Sequence, residues 1–100
     1  MANISSSEGT IEFVNFTEEE VQYWVNKHIS ADYGFNEIDV EKGKFEGSGR
    51  WSFYETLLST DWGLHNNQEI LLNFYDEEPS LGFDYYQAGV INKDGYSSVK

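Results

Sequence analysis

Cysteine is absent from the chain, which removes disulfides, thiolate nucleophiles and cysteine-based zinc sites and leads us to expect a reducing, cytoplasmic setting. Proline occurs once, as Pro79, within the turn-forming run Asp76-Glu77-Glu78-Pro79-Ser80. No apolar run approaches the length needed to span a membrane. The opening residues Met1 to Glu8 have neither a basic region nor an apolar stretch, so no signal peptide is expected there. Positive charge is scarce as well. Six basic residues stand against eighteen acidic ones, a formal charge of −12, and such a field argues against direct binding to nucleic acid or to anionic membranes. The expected partner is therefore basic, and the competing reading is that acidity serves solubility alone.

What is present suffices for one small domain. The 100 residues are 39% hydrophobic and 17% aromatic. Large rings bury much area per residue, so even a thin core can hold. Residues 1–9 are small, polar and without period, which predicts a flexible tail. A single domain is expected over 10–96, with a second tail at 97–100.

Thr10 to Phe16 reads as a strand with Ile11 and Phe13 on one side. Thr17-Glu18-Glu19-Glu20 has the form of a capping box. The helix that follows places Val21, Trp24, Val25, His28 and Ile29 on one face. After a loop at 30–36, Ile38 and Val40 alternate with acidic residues, and Lys42-Gly43 supplies a hairpin turn. The returning strand, Lys44 to Phe53, lines up Phe45, Gly47, Gly49, Trp51 and Phe53 on one face, and its glycines predict a notch filled by a helix side chain such as Trp24. Ser52 caps a short second helix reaching Thr60. Strands then follow at Glu69 to Tyr75 and Leu81 to Ile91. The order predicts an α+β, ferredoxin-like β-α-β-β-α-β fold with one extra C-terminal strand, its antiparallel sheet carrying two helices on one face.

No catalytic, metal or cofactor set emerges. The only histidines are His28, on the apolar helix face, and His65, in a loop. An enzyme built on them requires a shared cleft, and finding the two far apart would remove it. Gly47-Ser48-Gly49-Arg50 lies within a strand, unlike a phosphate loop, which opens a helix.

Two acidic features point to binding instead. Glu37, Asp39 and Glu41 form an outward row continued across the hairpin by Glu46, with roughly 6 to 7 Å between alternate residues, close to two phosphate steps of a nucleic-acid strand. Asp76, Glu77 and Glu78 adjoin Tyr75, Tyr85 and Tyr86, and rings flanked by charge are the usual make-up of a binding hot spot. Tyr85 and Tyr86 should face opposite sides of their strand. Solvated strand faces and core packing are the competing readings.

The stretch from Phe45 to Gly89 resembles the ferredoxin-like domain of plasmid and phage proteins of the YubB type. The likeness rests on Gly49-Arg50-Trp51-Ser52 entering a helix with Leu57 and Leu58, then Phe74-Tyr75-Asp76-Glu77-Glu78 and Gly82-Phe83. The chain lacks a proline after Trp51-Ser52 and carries Tyr85-Tyr86 before Ala88-Gly89. In character it is also similar to small acidic phage proteins that disable host defence, including anti-CRISPR inhibitors and antirestriction DNA mimics. These resemblances imply a non-enzymatic inhibitor whose acidic, aromatic surface docks on the basic nucleic-acid groove of a defence nuclease. The alternative is a structural or assembly domain, self-associating as a homodimer through an edge strand.

Overall fold

The computed structural model describes residues 4–78 and 82–99. Six strands and two helices follow in the order β1 (Ile4–Val14), α1 (Glu18–His28), β2 (Gly34–Asp39), β3 (Lys44–Arg50), α2 (Phe53–Ser59), β4 (Glu69–Glu78), β5 (Phe83–Asn92) and β6 (Gly95–Val99). They form one antiparallel sheet ordered β2-β3-β1-β4-β5-β6. The α+β class and the antiparallel sheet with two helices agree with the sequence. The single extra strand is corrected to two, because Asn92 to Gly95 turns the chain back into β6. Residues 97–99 accordingly pair with β5 and are not a tail.

A second correction concerns β1. Residues 4–9 are strand, paired on one side with β3 from Ile4↔Arg50 and on the other with β4 from Ser6↔Glu77. A central strand satisfies its backbone donors and acceptors on both edges, so the ladder sustains the Ser-Ser-Ser run where side-chain propensity would not. Gly9 is required there, since a Cβ would collide with the backbone of Asn73 and Phe74.

Helix α1 begins as its sequence dictates. Thr17 Oγ1 accepts from the Glu20 N–H at 3.1 Å, and the Thr17 N–H donates to Glu20 Oε1 at 2.9 Å. Helix α2 is capped by Ser52 Oγ, which accepts from the Glu55 N–H at 3.0 Å. Both helices lie on the same face of the sheet. Trp24 and Val25 from α1, with Phe53 and Leu57 from α2, join Ile11, Phe35, Phe45, Ile70, Leu72, Phe74 and Ile91 in one core. Each fully buried Phe, Leu or Ile contributes roughly 1.5–3 kcal/mol of transfer free energy.

Trp62 ties the two helices together. Its carbonyl accepts from Trp24 Nε1 at 3.0 Å, and its own Nε1 donates to the Leu57 carbonyl at 3.0 Å. The glycine notch in β3 is occupied by α2, not by Trp24. At Gly47 a Cβ would strike the Phe53 ring, and at Gly49 it would strike the Ser52 backbone. The reversal that brings α2 back over its own strand is made at Trp51, at φ 75°. This turns Trp51 out of the strand face it was expected to share and leaves it 47% exposed.

Candidate docking face on the open side of the sheet

With both helices on one side, the other side of the sheet is open. Strand alternation decides which side chains reach it. On β4, Ile70, Leu72, Phe74, Asp76 and Glu78 are buried, while Glu69, Leu71, Asn73, Tyr75 and Glu77 point the other way. Asp76 and Glu78 are therefore corrected as surface candidates, because each is 0% exposed. The phase of Ile70, Leu72 and Phe74, continued by two residues each time, carries both carboxylates to the helix side of the sheet. Asp76 Oδ2 there accepts from the Phe53 N–H at 2.9 Å, the Tyr54 N–H at 3.4 Å and the Tyr85 hydroxyl at 3.2 Å. Tyr85 shares that side, half-buried, and desolvation with the neighbouring Asp76 charge pushes its hydroxyl pKa well above the ordinary value. Tyr86 takes the opposite side, as its adjacency to Tyr85 requires, and is 83% exposed.

The remaining candidates, Glu41 excepted, gather on the open face. The β2–β3 pairing shifts register between Phe35 and Glu37, so that Phe35 sits opposite Gly47 and Glu37 opposite Glu46. Asn36 is the inserted residue, and its side chain donates to the Ser30 and Asp32 carbonyls at 2.8 Å each. Without this bulge Glu37 would follow Phe35 onto the helix side, so the irregularity re-aims a carboxylate. Glu46 also stands opposite Glu8 on β1, and Glu8 opposite Tyr75 on β4, which in turn faces Tyr86 on β5. One row, Glu37-Glu46-Glu8-Tyr75-Tyr86, thus crosses five strands at steps of roughly 5 Å. Glu8 is a member that hydrophobic patterning missed, since it lies in a run without apolar alternation.

Asp39 is on the same face opposite Lys44. Glu41 is exposed in the β2–β3 turn and stands off the row. An open trough of about 770 Å³ runs along the row, lined by Glu8, Glu37, Glu46, Tyr75 and Tyr86 and also by Asp39, Lys42 and Lys44.

The two tyrosines are in ring contact, with centroids 4.8 Å apart and planes at 51°. Tyr75 Oη donates to Asp84 Oδ2 at 2.7 Å and reaches Glu77 Oε2 at 3.5 Å. That hydrogen bond to Asp84 is the main reason its pKa is pushed up to about 12. Glu77 and Asp84 are themselves directly opposite one another, which extends the acidic surface by one further row.

On the helix side, His28 and His65 line one cleft of about 300 Å³ between α1 and the segment 62–68. The separation that would have removed an enzyme reading is not found. The His28 ring lies 4.7 Å from Trp24 and 5.1 Å from Trp62, and its Nε2 is buried without a hydrogen-bond partner. Burial, followed by the Lys27 charge, lowers its pKa and favours the neutral imidazole. Among the described residues, no three His, Asp or Glu side chains are grouped to hold a metal ion. No helix there is long and apolar enough to cross a membrane. Compared with known proteins, the chain matches no family model, no curated protein and no solved structure, so a functional reading has to come from its own geometry.

Proposed function

We propose that this protein acts by binding, through the open face of its sheet, to a basic nucleic-acid-binding surface of another protein. In the fullest form of the reading the partner is a host defence nuclease, and the chain is a phage or mobile-element inhibitor that occupies its groove. The observation that carries the reading is the row Glu37-Glu46-Glu8. Like charges placed directly opposite across strands are destabilising, and here Glu46 has one on each side. A fold that keeps such a file retains an unfavourable local arrangement that a basic partner would relieve. The bulge that turns Glu37 outward adds to the file.

The sheet order β2-β3-β1-β4, with a helix in each crossover, supports kinship of this core with the ferredoxin-like split β-α-β arrangement, to which β5 and β6 are added. The mobile-element setting draws on the sequence resemblances alone.

The test is inhibition of a panel of purified defence nucleases by the intact chain and by a Glu8→Lys/Glu37→Lys/Glu46→Lys variant. The reading expects salt-sensitive inhibition of at least one nuclease, lost in the variant while its folded spectrum is kept. Inhibition retained in full by the variant would remove the open face from the mechanism. The shared histidine cleft favours a second reading, an enzyme using His28 or His65. Turnover of a substrate by the wild type that is abolished in His65→Ala would put that reading first.

A further inference from the structure

The Tyr75–Tyr86 pair has no place in the core. Tyr86 is 83% exposed, while Tyr75 is fixed by its hydroxyl to Asp84 at 2.7 Å. The two rings form a standing platform at one end of the trough. Glu8 is the next residue along the row, directly across from Tyr75, and Glu46 follows it. Among the described residues, no cation of the chain takes the face of Tyr86. The cation–ring contacts there are Lys27 with Tyr23 and Arg50 with Trp51, while Lys42 and Lys44 line the trough among the residues of the β2–β3 hairpin.

A platform of two rings with a carboxylate one strand beyond Tyr75 and two beyond Tyr86, along the same trough, suits one cation better than another. Guanidinium is planar and weakly hydrated, so it can stack on a ring while its edge donates two parallel N–H groups to a carboxylate. An ammonium group is a strongly hydrated point charge and is served about as well by any carboxylate of the row. We infer that the Tyr75–Tyr86 platform with Glu8 is an arginine-reading site, where an arginine of the partner's basic segment lies across the paired rings, in contact with Tyr86, and points its edge past Tyr75 at Glu8. This rests on the proposed docking face and names the side chain that the face selects. It also gives the uncharged end of the row a task, since Glu37 and Glu46 attract any cation whereas the rings discriminate. A cation on an exposed ring is worth roughly a two- to fivefold gain in affinity.

The experiment titrates the full chain at low ionic strength with an oligoarginine and an oligolysine peptide of equal length, measuring Kd by calorimetry and following the Tyr86 ring resonances. The expected result is tighter binding of the arginine peptide by roughly three- to tenfold, a preference erased by Tyr86→Ala and kept by Tyr86→Phe. Tyr86 is so exposed that neither substitution threatens the fold. Equal affinity for the two peptides, or a preference that survives Tyr86→Ala, overturns the arginine site and leaves the acidic docking face standing. Failure of both peptides to bind overturns the docking face as well. Tyr86 resonances that shift with protein concentration alone would assign the platform to a second copy of the chain and overturn the inference.

Discussion

The Phe53 backbone N–H donates to Asp76 Oδ2 at 2.9 Å across 23 residues of chain. The first turn of α2 is therefore joined to β4 by a side chain, outside any ladder. The same oxygen accepts from Tyr54 and from the Tyr85 hydroxyl. One buried carboxylate thus anchors a helix start and a tyrosine of the neighbouring strand.

Asp76→Ala is expected to strand those donors in the interior and to lower stability by about 2–4 kcal/mol, since a lost hydrogen bond to a charged group costs roughly 1.5–3 kcal/mol and the bared donors add to it. Tyr85→Phe should cost less, about 1–2 kcal/mol, because it removes only one of the three donors to Asp76 Oδ2 and leaves the carboxylate in place. Urea denaturation of the three proteins at neutral pH checks both values. A smaller loss for Asp76→Ala than for Tyr85→Phe would contradict the anchoring role.

Gly89 lies beneath the Tyr96 ring, where a Cβ would collide with the ring carbons and hydroxyl. Tyr96 is held in place by its hydroxyl, which donates to Gln87 Oε1 at 2.6 Å. Gly89→Ala should force the ring aside and cost about 1–3 kcal/mol. Combined with Tyr96→Ala, the effects should be clearly less than additive, because the clash is shared. A double-mutant cycle by thermal or urea unfolding reads the coupling.

His28 introduces a pH dependence of known sign. Its folded pKa lies below the ordinary 6.5, chiefly through burial, so as pH falls through that value the unfolded chain takes up the proton first. Stability is unaffected well above pH 6.5 and is lost progressively below it, until the folded pKa is passed. His28→Gln should flatten this part of the profile. Unfolding free energies of both proteins at pH 5.5 and 7.5 test it, and an identical slope would show that His28 does not contribute.

Tyr75 should ionise near pH 12. The leading cause is its hydrogen bond to Asp84, so Asp84→Asn should bring the titration back toward ordinary phenol behaviour. Ultraviolet difference titration, with Tyr75→Phe to assign the signal, distinguishes the two cases.

Glu46 sits between two carboxylates, and removing its charge should help the fold while harming the proposed function. Glu46→Gln is expected to raise stability by a few tenths to about 1 kcal/mol at low salt, with the gain shrinking as salt screens it. The same substitution should weaken capture of a basic partner.

Much of this architecture is legible from local chemistry. Thr17 with Glu20 and Ser52 ahead of α2 mark both helix starts, because capping depends on residues only three apart. Lys42-Gly43 marks the β2–β3 hairpin. The outward row Glu37, Asp39, Glu46 follows from alternation, although the bulge that keeps Glu37 in phase does not. What escapes depends on distant chain. The Ser5 to Gly9 run becomes a central strand only because β3 and β4 meet it from both sides, and Glu8 is hidden with it. Asp76 and Glu78 repeat the phase of Phe74, so the alternation that revealed β4 also marks them as inward. Their charge masks that signal, since acidic residues are seldom buried. After Asn92 to Gly95, Tyr96 alone supplies a large buried ring, too little periodicity to announce β6.

The one-sided sheet separates two kinds of information along the same strand. On β4, one set of alternate residues is committed to the interior, and the intervening set faces outward without touching a helix. A change of letter at Glu69, Asn73 or Glu77 leaves the interior spelling intact. If the open face docks as proposed, exchanging every second residue re-addresses it to a new partner, and such variants should arise at little cost to folding.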